Sequence, residues 1–295
     1  MENLTTCLVC DNESFTTYLN CQDHFLTQKT FNICKCDKCG FLFTNPRPAA
    51  NELPAYYQSD EYISHSNSRQ GIQNLVYQWV RKYTIGRKYK LVTKYKKASR
   101  ILDIGCATGE LLNYFKNRKW ETFGIEPDDQ ARKMGISNYA LKIEDEDYLQ
   151  ILPDATFDVI TMWHVLEHVP FLNERIVQLQ RLLSPSGILF IAVPNPSSHD
   201  ANNYKSFWAA YDVPRHLYHF TQDTIKFLFS KHGFELIQKI PMKFDSYYVS
   251  ILSEKYMHVR NRFFYGILSG FVSNRSANYT GEYSSIIYVF RKTSA

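Results

Sequence analysis

Asp103, Gly105, Gly109 and Glu126 have a spacing that can hold a nucleoside. The run Arg100-Ile101-Leu102-Asp103-Ile104-Gly105-Cys106-Ala107-Thr108-Gly109-Glu110 reads as a strand, a small-residue turn and a helix start. Phe123-Gly124-Ile125-Glu126-Pro127 reads as a second strand ending in an acid. Such a turn lets backbone N–H groups approach a ligand, and the acid accepts hydrogen bonds from ribose hydroxyls. A dinucleotide fold needs G-x-G-x-x-G, so that a pyrophosphate can rest on the helix N-terminus. Here the two glycines are four apart, and a carboxylate, Asp103, stands on the strand itself. It would repel pyrophosphate, but it suits a cationic sulfonium with a free amino group. The pattern therefore points to S-adenosylmethionine (SAM) and away from a nicotinamide dinucleotide.

A second chemistry lies at the N-terminus. Of seven cysteines, six precede residue 40, and Cys7-Leu-Val-Cys10 and Cys36-Asp-Lys-Cys39-Gly40 form two C-x₂-C knuckles. Four thiolates so arranged suit tetrahedral Zn²⁺, and with no secretory signal in view metal is expected over disulfides. Structural zinc is expected on Cys7, Cys10, Cys36 and Cys39. Cys34 is a poorer ligand, and Cys21 with His24 is an alternative C-x₂-H pair. Cys106, in the cofactor turn, is expected to pack and not to act as a nucleophile.

The cofactor turn resembles the first motif, D-x-G-x-G-x-G, of the class I SAM-dependent methyltransferases. Asp103, Gly105 and Gly109 match it, and Ala107 replaces the middle glycine. The replacement is mild if the residue sits at negative φ, where alanine costs nothing. Phe157-Asp158-Val159-Ile160 resembles the family's fourth strand, Trp163-His164-Val165-Leu166-Glu167-His168 its H-V-L-E-H segment, and Arg181-Leu182-Leu183-Ser184-Pro185-Ser186-Gly187 its R-x-L-x-P-x-G turn. Residues 1–48 resemble the cysteine-knuckle module preceding some bacterial methyltransferases, including those of sugar and surface-polysaccharide pathways. Asp212-Val213-Pro214-Arg215-His216-Leu217 resembles the D-x-P-R-H-L segment of the same group. The resemblance implies cofactor contacts at Asp103, Gly105, Cys106, Ala107, Gly109, Glu126, Trp163 and His164, with Glu144 as the adenine contact after the third strand.

Methyl transfer is an in-line displacement, so the protein must align a nucleophile and exclude water. A weakly acidic acceptor also needs a general base. His164, His168, Asp212 and His216 are the catalytic candidates, and Arg215 could bind a substrate phosphate or carboxylate. His164, Glu167 and His168 have i, i+3, i+4 spacing, which would put three ligands on one helix face. Some quinone-pathway O-methyltransferases carry a similar Glu-His pair and use a divalent metal.

The elements that must position these residues alternate strand and helix. Strands are expected at Ile101–Gly105, Glu121–Glu126, Tyr139–Ile143, Phe157–Trp163, Leu189–Val193, Phe234–Ile240 and Ser285–Arg291, with a turn at Ser184–Gly187. Helices are expected at Glu110–Arg118, Glu174–Leu183 and Thr221–His232. This implies an α/β fold, a Rossmann-like doubly wound seven-stranded mostly parallel sheet preceded by a small zinc-ribbon module. The family resemblance adds that the last strand inserts antiparallel. Three units follow: the module at 1–48, a helical linker or lid at 49–98, and the SAM-dependent domain at 99–295 with substrate insertions around 196–220 and 241–280. Ile72, Leu75, Val76, Trp79 and Tyr83 recur at helical spacing, and Tyr56, Tyr57 and Tyr62 could cover a pocket.

Composition bounds the rest. The net charge of +5 permits an acidic substrate without demanding nucleic acid. Residues 81–100 hold nine basic residues and no acid, read here as the solvated face of an amphipathic helix. The absence of a long apolar run excludes a membrane span, and no membrane partner is expected. With no leader-like N-terminus, a cytoplasmic protein is expected. The leading reading is methyl transfer from SAM to a small molecule such as a sugar, a surface-polysaccharide precursor or a quinone-like metabolite. An RNA methyltransferase gripping through ribbon and basic helix is the alternative, but strand four lacks the Asp/Asn-Pro-Pro-aromatic motif. A non-catalytic binding protein is the third reading. The sequence leaves the acceptor atom and the oligomeric state open.

Overall fold

Ile101–Ile104, Val159–Met162 and Leu189–Val193 are buried along their whole length, as strands covered on both faces must be. The alternation of side chains sorts them. Leu102, Ile104, Ile160 and Met162 enter one apolar core, while Ile101, Val159, Phe190 and Ala192 enter another on the opposite face.

The computed structural model describes residues 1–57 and 83–293. Tyr62, Ile72, Leu75, Val76 and Trp79, with the lid and helix expected on them, lie outside the described residues. In chain order the elements are β1 (Phe15–Gln22), β2 (Thr30–Cys36), β3 (Leu42–Thr44), helix α1 (83–92), β4 (Arg100–Ile104), α2 (Glu110–Lys116), β5 (Glu121–Ile125), α3 (Asp129–Tyr139), β6 (Ile143–Glu144) and β7 (Phe157–Trp163). There follow α4 (Leu172–Leu182), β8 (Leu183–Pro194), α5 (His199–Tyr204), β9 (Tyr218–His219), α6 (Gln222–Lys231), β10 (Phe234–Pro241), α7 (Asp245–Tyr256), α8 (Arg262–Thr280) and β11 (Ser285–Lys292).

Seven strands form one sheet in the order β10-β11-β8-β7-β4-β5-β6. β8, β7, β4, β5 and β6 run parallel, and β11 is antiparallel to both neighbours. α4 and α6 pack on one face, α1 and α2 on the other. This is the expected doubly wound sheet with its antiparallel last strand.

Two local expectations change. The strand expected at Tyr139–Ile143 shrinks to Ile143–Glu144. α3 runs to Tyr139 and is closed by Ala140 at φ 48, whose N–H donates to the Ile136 carbonyl. The turn expected at Ser184–Gly187 lies inside β8 as a bulge, because the register on β7 jumps from Leu183 to Ile188.

The cysteine knuckles flank a smaller sheet in the order β1-β2-β3-β9. Its fourth strand comes from residues 218–219, so the 1–48 segment completes its sheet with chain distant in sequence. Phe41 stacks on Tyr218 at 5.9 Å, and Cys7, Val9, Phe41 and Phe43 belong to the same core as Leu102 and Ile160. Phe31, Ile33 and Leu42 share a third core with Trp208, Tyr211 and Val249.

Candidate functional site

The parallel strands end at one edge, and the candidate residues gather there, as expected for an open α/β sheet. At the tip of β4, Asp103 is 3% exposed, and the Thr161 hydroxyl of neighbouring β7 donates to its Oδ1 at 2.5 Å. Burial pushes its pKa up to about 6, against the pull of Thr161 and of the Lys88 charge. Lys88, on α1, lies 4.3 Å from the Trp163 ring centre, and burial lowers its pKa.

The turn after β4 is held open by left-handed backbone at Gly105 (φ 73), Ala107 (φ 49) and Gly109 (φ 78). The condition under which alanine would cost nothing at 107 is not met: it occupies a conformation in which its Cβ is strained. Close approach explains Gly105 and Gly109, because a Cβ there would stand 2.4 Å from Val165 and 2.5 Å from Leu141. The turn's amides are engaged within the chain. The N–H groups of Gly105 and Cys106 donate to the Ile125 carbonyl, and that of Gly109 to Cys106. Cys106 packs against Gly124, as expected of a packing residue.

Glu126 ends β5. Its carboxylate accepts the Ala107 N–H at 2.8 Å and the Asp128 N–H at 3.0 Å, which fixes its orientation and leaves lone pairs for a diol. Burial lifts its pKa above the usual range. Glu144 pairs with Ile125 at the same edge. The rest of its acidic run has structural partners: Asp145 caps a 3₁₀ turn, and Glu146 pairs with Arg175.

Trp163 and His164 end β7. The helix face expected for His164, Glu167 and His168 does not form, since His164 sits at φ 57 and only a 3₁₀ turn follows at Leu166–His168. His164 is instead clamped between two acids. Its Nε2 lies 3.0 Å from Asp245 Oδ2, and its Nδ1 lies 3.4 Å from Glu167 Oε1. Burial opposes its charge, but the two carboxylates raise its pKa to about 10. With both ring nitrogens turned to carboxylates, His164 has no free lone pair for a substrate proton and is corrected from general-base candidate to charge partner of Asp245 and Glu167.

Glu167, His168 and His216 converge, with ligand-capable atoms within 4.8 Å of one another. Glu167 is buried, and neither of its carboxylate oxygens receives a hydrogen bond. Burial would raise its pKa, but the surrounding histidines hold it below the usual range. His168 Nδ1 lies 3.2 Å from the Arg215 carbonyl and 2.9 Å from the Tyr57 hydroxyl. His216 Nδ1 lies 2.8 Å from the Ala210 carbonyl. A carbonyl only accepts, so both rings carry the Nδ1 proton and leave Nε2 as a lone pair. Burial depresses the His168 pKa to about 4, which keeps that ring neutral.

Asp212 and Arg215 are corrected. Arg215, 4% exposed, donates to Asp212 at 2.6 Å and to the buried Asp23 of the N-terminal segment at 3.1 Å. It is a structural tie and has no free edge for a substrate anion. Half-buried Asp212 is held below the usual range by Arg215, which donates to both of its carboxylate oxygens and occupies the edge a substrate proton would need.

The four knuckle thiols cluster as well. Cys7 and Cys39 Sγ are 3.6 Å apart, and Cys10 and Cys36 Sγ are 3.5 Å apart. A tetrahedron of Zn–S bonds of about 2.3 Å has edges of about 3.8 Å, so the four sulfurs suit one zinc ion. Among the described residues Cys21, Cys34 and His24 do not join them. Cys21 is in the third core, Cys34 bonds the Asn45 carbonyl, and His24 stacks on Tyr256. Sequence reasoning missed Lys88, Thr161, Asp245, Asp23 and the role of Tyr57. Only Lys88 had a signal, the basic run, which was read as solvated.

A family profile described as a methyltransferase domain matches residues 78–239. A ubiquinone biosynthesis O-methyltransferase of Rhodopseudomonas palustris is 30% identical over 113 residues, covering 37% of this chain and 42% of that protein. An uncharacterized methyltransferase of Geobacillus kaustophilus is 27% identical over 153 residues, 47% of this chain and 70% of that one. The chain thus spans less than half the length of the first curated relatives it matches. Among solved structures, a Burkholderia thailandensis 1,6-didemethyltoxoflavin-N1-methyltransferase, with 1,6-didemethyltoxoflavin and S-adenosylhomocysteine bound, superposes with a TM-score of 0.52 at 15% identity, over 92% of this chain and 99% of that one. The [4+2]-cyclase SpnF gives 0.50 at 17% identity, over 71% and 81%. Likenesses at this identity show the fold alone, and a cyclase among them illustrates why.

Proposed function

The chain belongs to the class I SAM-dependent methyltransferase family, and on that premise we propose that it methylates a small-molecule acceptor, with quinone-like metabolites and sugars as the acceptor classes. The observation that carries this reading is the placement of Asp103 and Glu126 at adjacent strand ends, one on each side of the left-handed turn, with a cluster of proton-accepting groups beyond β7. When bound, SAM would supply an electrophilic methyl group on a sulfonium. Asp103 would hold its amino group and Glu126 its ribose hydroxyls. Gly105, Cys106, Ala107 and Gly109 would let the ligand approach closely, and Glu144 would contact the adenine. Lys88 and Trp163 would close the site against water.

Beside Glu167, whose Oε1 faces His164, the neutral His168 and His216 rings turn their Nε2 atoms to one cluster, and an Nε2 lone pair there can take up a proton. We assign the general base to the His168–His216 pair. His168 is the partly exposed member, so the acceptor's proton would pass to its Nε2, and Glu167 would stabilise the imidazolium. Replacing His168 with Gln should lower kcat by about 10²-fold or more with little change in SAM binding. A variant of undiminished kcat would remove His168 from the chemistry.

The same cluster supports a second reading, in which Glu167, His168 and His216 hold a divalent cation. Metal analysis would then exceed the single ion that Cys7, Cys10, Cys36 and Cys39 would bind. The acceptor assay is transfer of labelled methyl from SAM to a panel of catechols, quinols and nucleotide sugars, with RNA as the contrasting substrate. Labelling of RNA alone would overturn the small-molecule reading.

A further inference from the structure

Helix α8 presents its residues the wrong way round for a surface helix. Its inner face is small: Gly266, Gly270, Ser273 and Ala277 are buried. A Cβ on Gly266 would stand 2.6 Å from the Ile251 Cα, and one on Gly270 2.8 Å from the Tyr247 Cα, so α7 and α8 touch backbone to backbone. The outer face is large and apolar. Phe263, Phe264, Ile267, Leu268, Phe271 and Val272 are between 39% and 67% exposed. At 100° per residue these six span about half of the helix circumference. A surface helix normally turns such a stripe inward, and a patch of this kind on a folded protein marks an interaction site.

Charge identifies the occupant. From 255 to 281 the chain has no Asp or Glu, while Lys255, Arg260, Arg262 and Arg275 supply positive charge. A two-fold pairing of this face with a second copy would bring those cations against one another. An anionic lipid surface complements them and accepts the rings and aliphatic chains together. No described helix is long and apolar enough to cross a membrane. The helix would lie in the interface plane, which needs no spanning segment, with tyrosines such as Tyr279, 82% exposed, at headgroup depth.

We propose that the outer face of α8 docks the protein on anionic lipid surfaces. This is independent of the acceptor's identity. The expectation from sequence, of no membrane partner, considered spanning segments only.

The test is co-sedimentation of the full chain with vesicles of phosphatidylcholine, alone or mixed with phosphatidylglycerol. The wild type should bind the mixed vesicles, more weakly as salt rises. A triple variant, Phe264→Glu, Ile267→Glu and Phe271→Glu, should lose at least about tenfold in binding. Arg262→Gln with Arg275→Gln should lose about fivefold per charge. Binding of S-adenosylhomocysteine reports folding of each variant. Wild type that binds this nucleoside but prefers neither vesicle would overturn the proposal. So would a dimer in sedimentation velocity that the triple variant abolishes, since the face would then belong to a second copy.

Discussion

Asp245 and His164, 81 residues apart in the chain, meet at 3.0 Å, carboxylate Oδ2 against imidazole Nε2. Asp245 opens α7, in the insertion between β10 and β11, and His164 ends the central strand β7. The contact ties the insertion to the sheet edge where SAM would lie. It also accounts for the left-handed His164, a backbone choice that histidine tolerates better than most residues.

His164 should titrate far from its ordinary range. Its folded pKa, about 10, exceeds that of the unfolded chain, so its stabilising charge is fully present below about pH 6.5 and is lost as pH rises through 10. Asp245→Asn removes the main support and should lower that pKa by at least about one unit, read by imidazole NMR titration. An unchanged titration would show that the pair does not hold the charge.

Ala107 offers a stabilising substitution. Left-handed backbone costs a non-glycine residue about 1–2 kcal/mol, while glycine adds about 0.4–1 kcal/mol of unfolded-chain entropy. Ala107→Gly should therefore gain about 0.5 kcal/mol in denaturant unfolding. A clear loss would mean that the methyl group makes contacts outweighing its strain.

Arg215 is assigned to structure. Asp23 is 1% exposed and pairs with it, so Arg215→Ala leaves a buried carboxylate without its cation, held only by the N–H groups of 25–27 and the Thr27 hydroxyl. The expected cost is about 3–5 kcal/mol. Arg215→Lys should recover only part of this, because lysine cannot fork to both Asp212 and Asp23. A stable Arg215→Ala variant with a raised KM would restore Arg215 as a substrate ligand.

Zinc analysis should return about one ion per chain, reduced to none in Cys36→Ser, Cys39→Ser. Since β3 pairs with β9, two residues beyond His216, loss of the ion should lower kcat more than cofactor affinity. Full activity in a zinc-free protein would separate the knuckles from the site.

The sheet was legible because its central strands are largely apolar, and the cofactor turn because glycine spacing and two acids are local features. The histidine cluster was only partly legible. Glu167 and His168 are adjacent, but His216 joins them from 48 residues further on, where the Leu217 N–H donates to the Glu167 carbonyl. Arg215 was misread because its partner Asp23 lies 192 residues earlier. Asp245 was invisible, since a lone acid at the start of a helix outside the strand–helix alternation carries no signal of its partner. The φ of Ala107 stayed open in the sequence because side-chain identity alone does not report the backbone geometry of the turn.

The most direct test is calorimetric titration with S-adenosylhomocysteine of the wild type, Asp103→Asn and Glu126→Gln, at about pH 7.5 and about pH 5.5. Micromolar binding by the wild type is expected, weakened about 10- to 100-fold in each variant as a charged hydrogen bond is lost. Because Asp103 titrates near 6, wild-type affinity should fall at the lower pH, and Asp103→Asn should lose most of that pH dependence. A folded, zinc-loaded wild type that binds no S-adenosylhomocysteine at either pH would contradict the account.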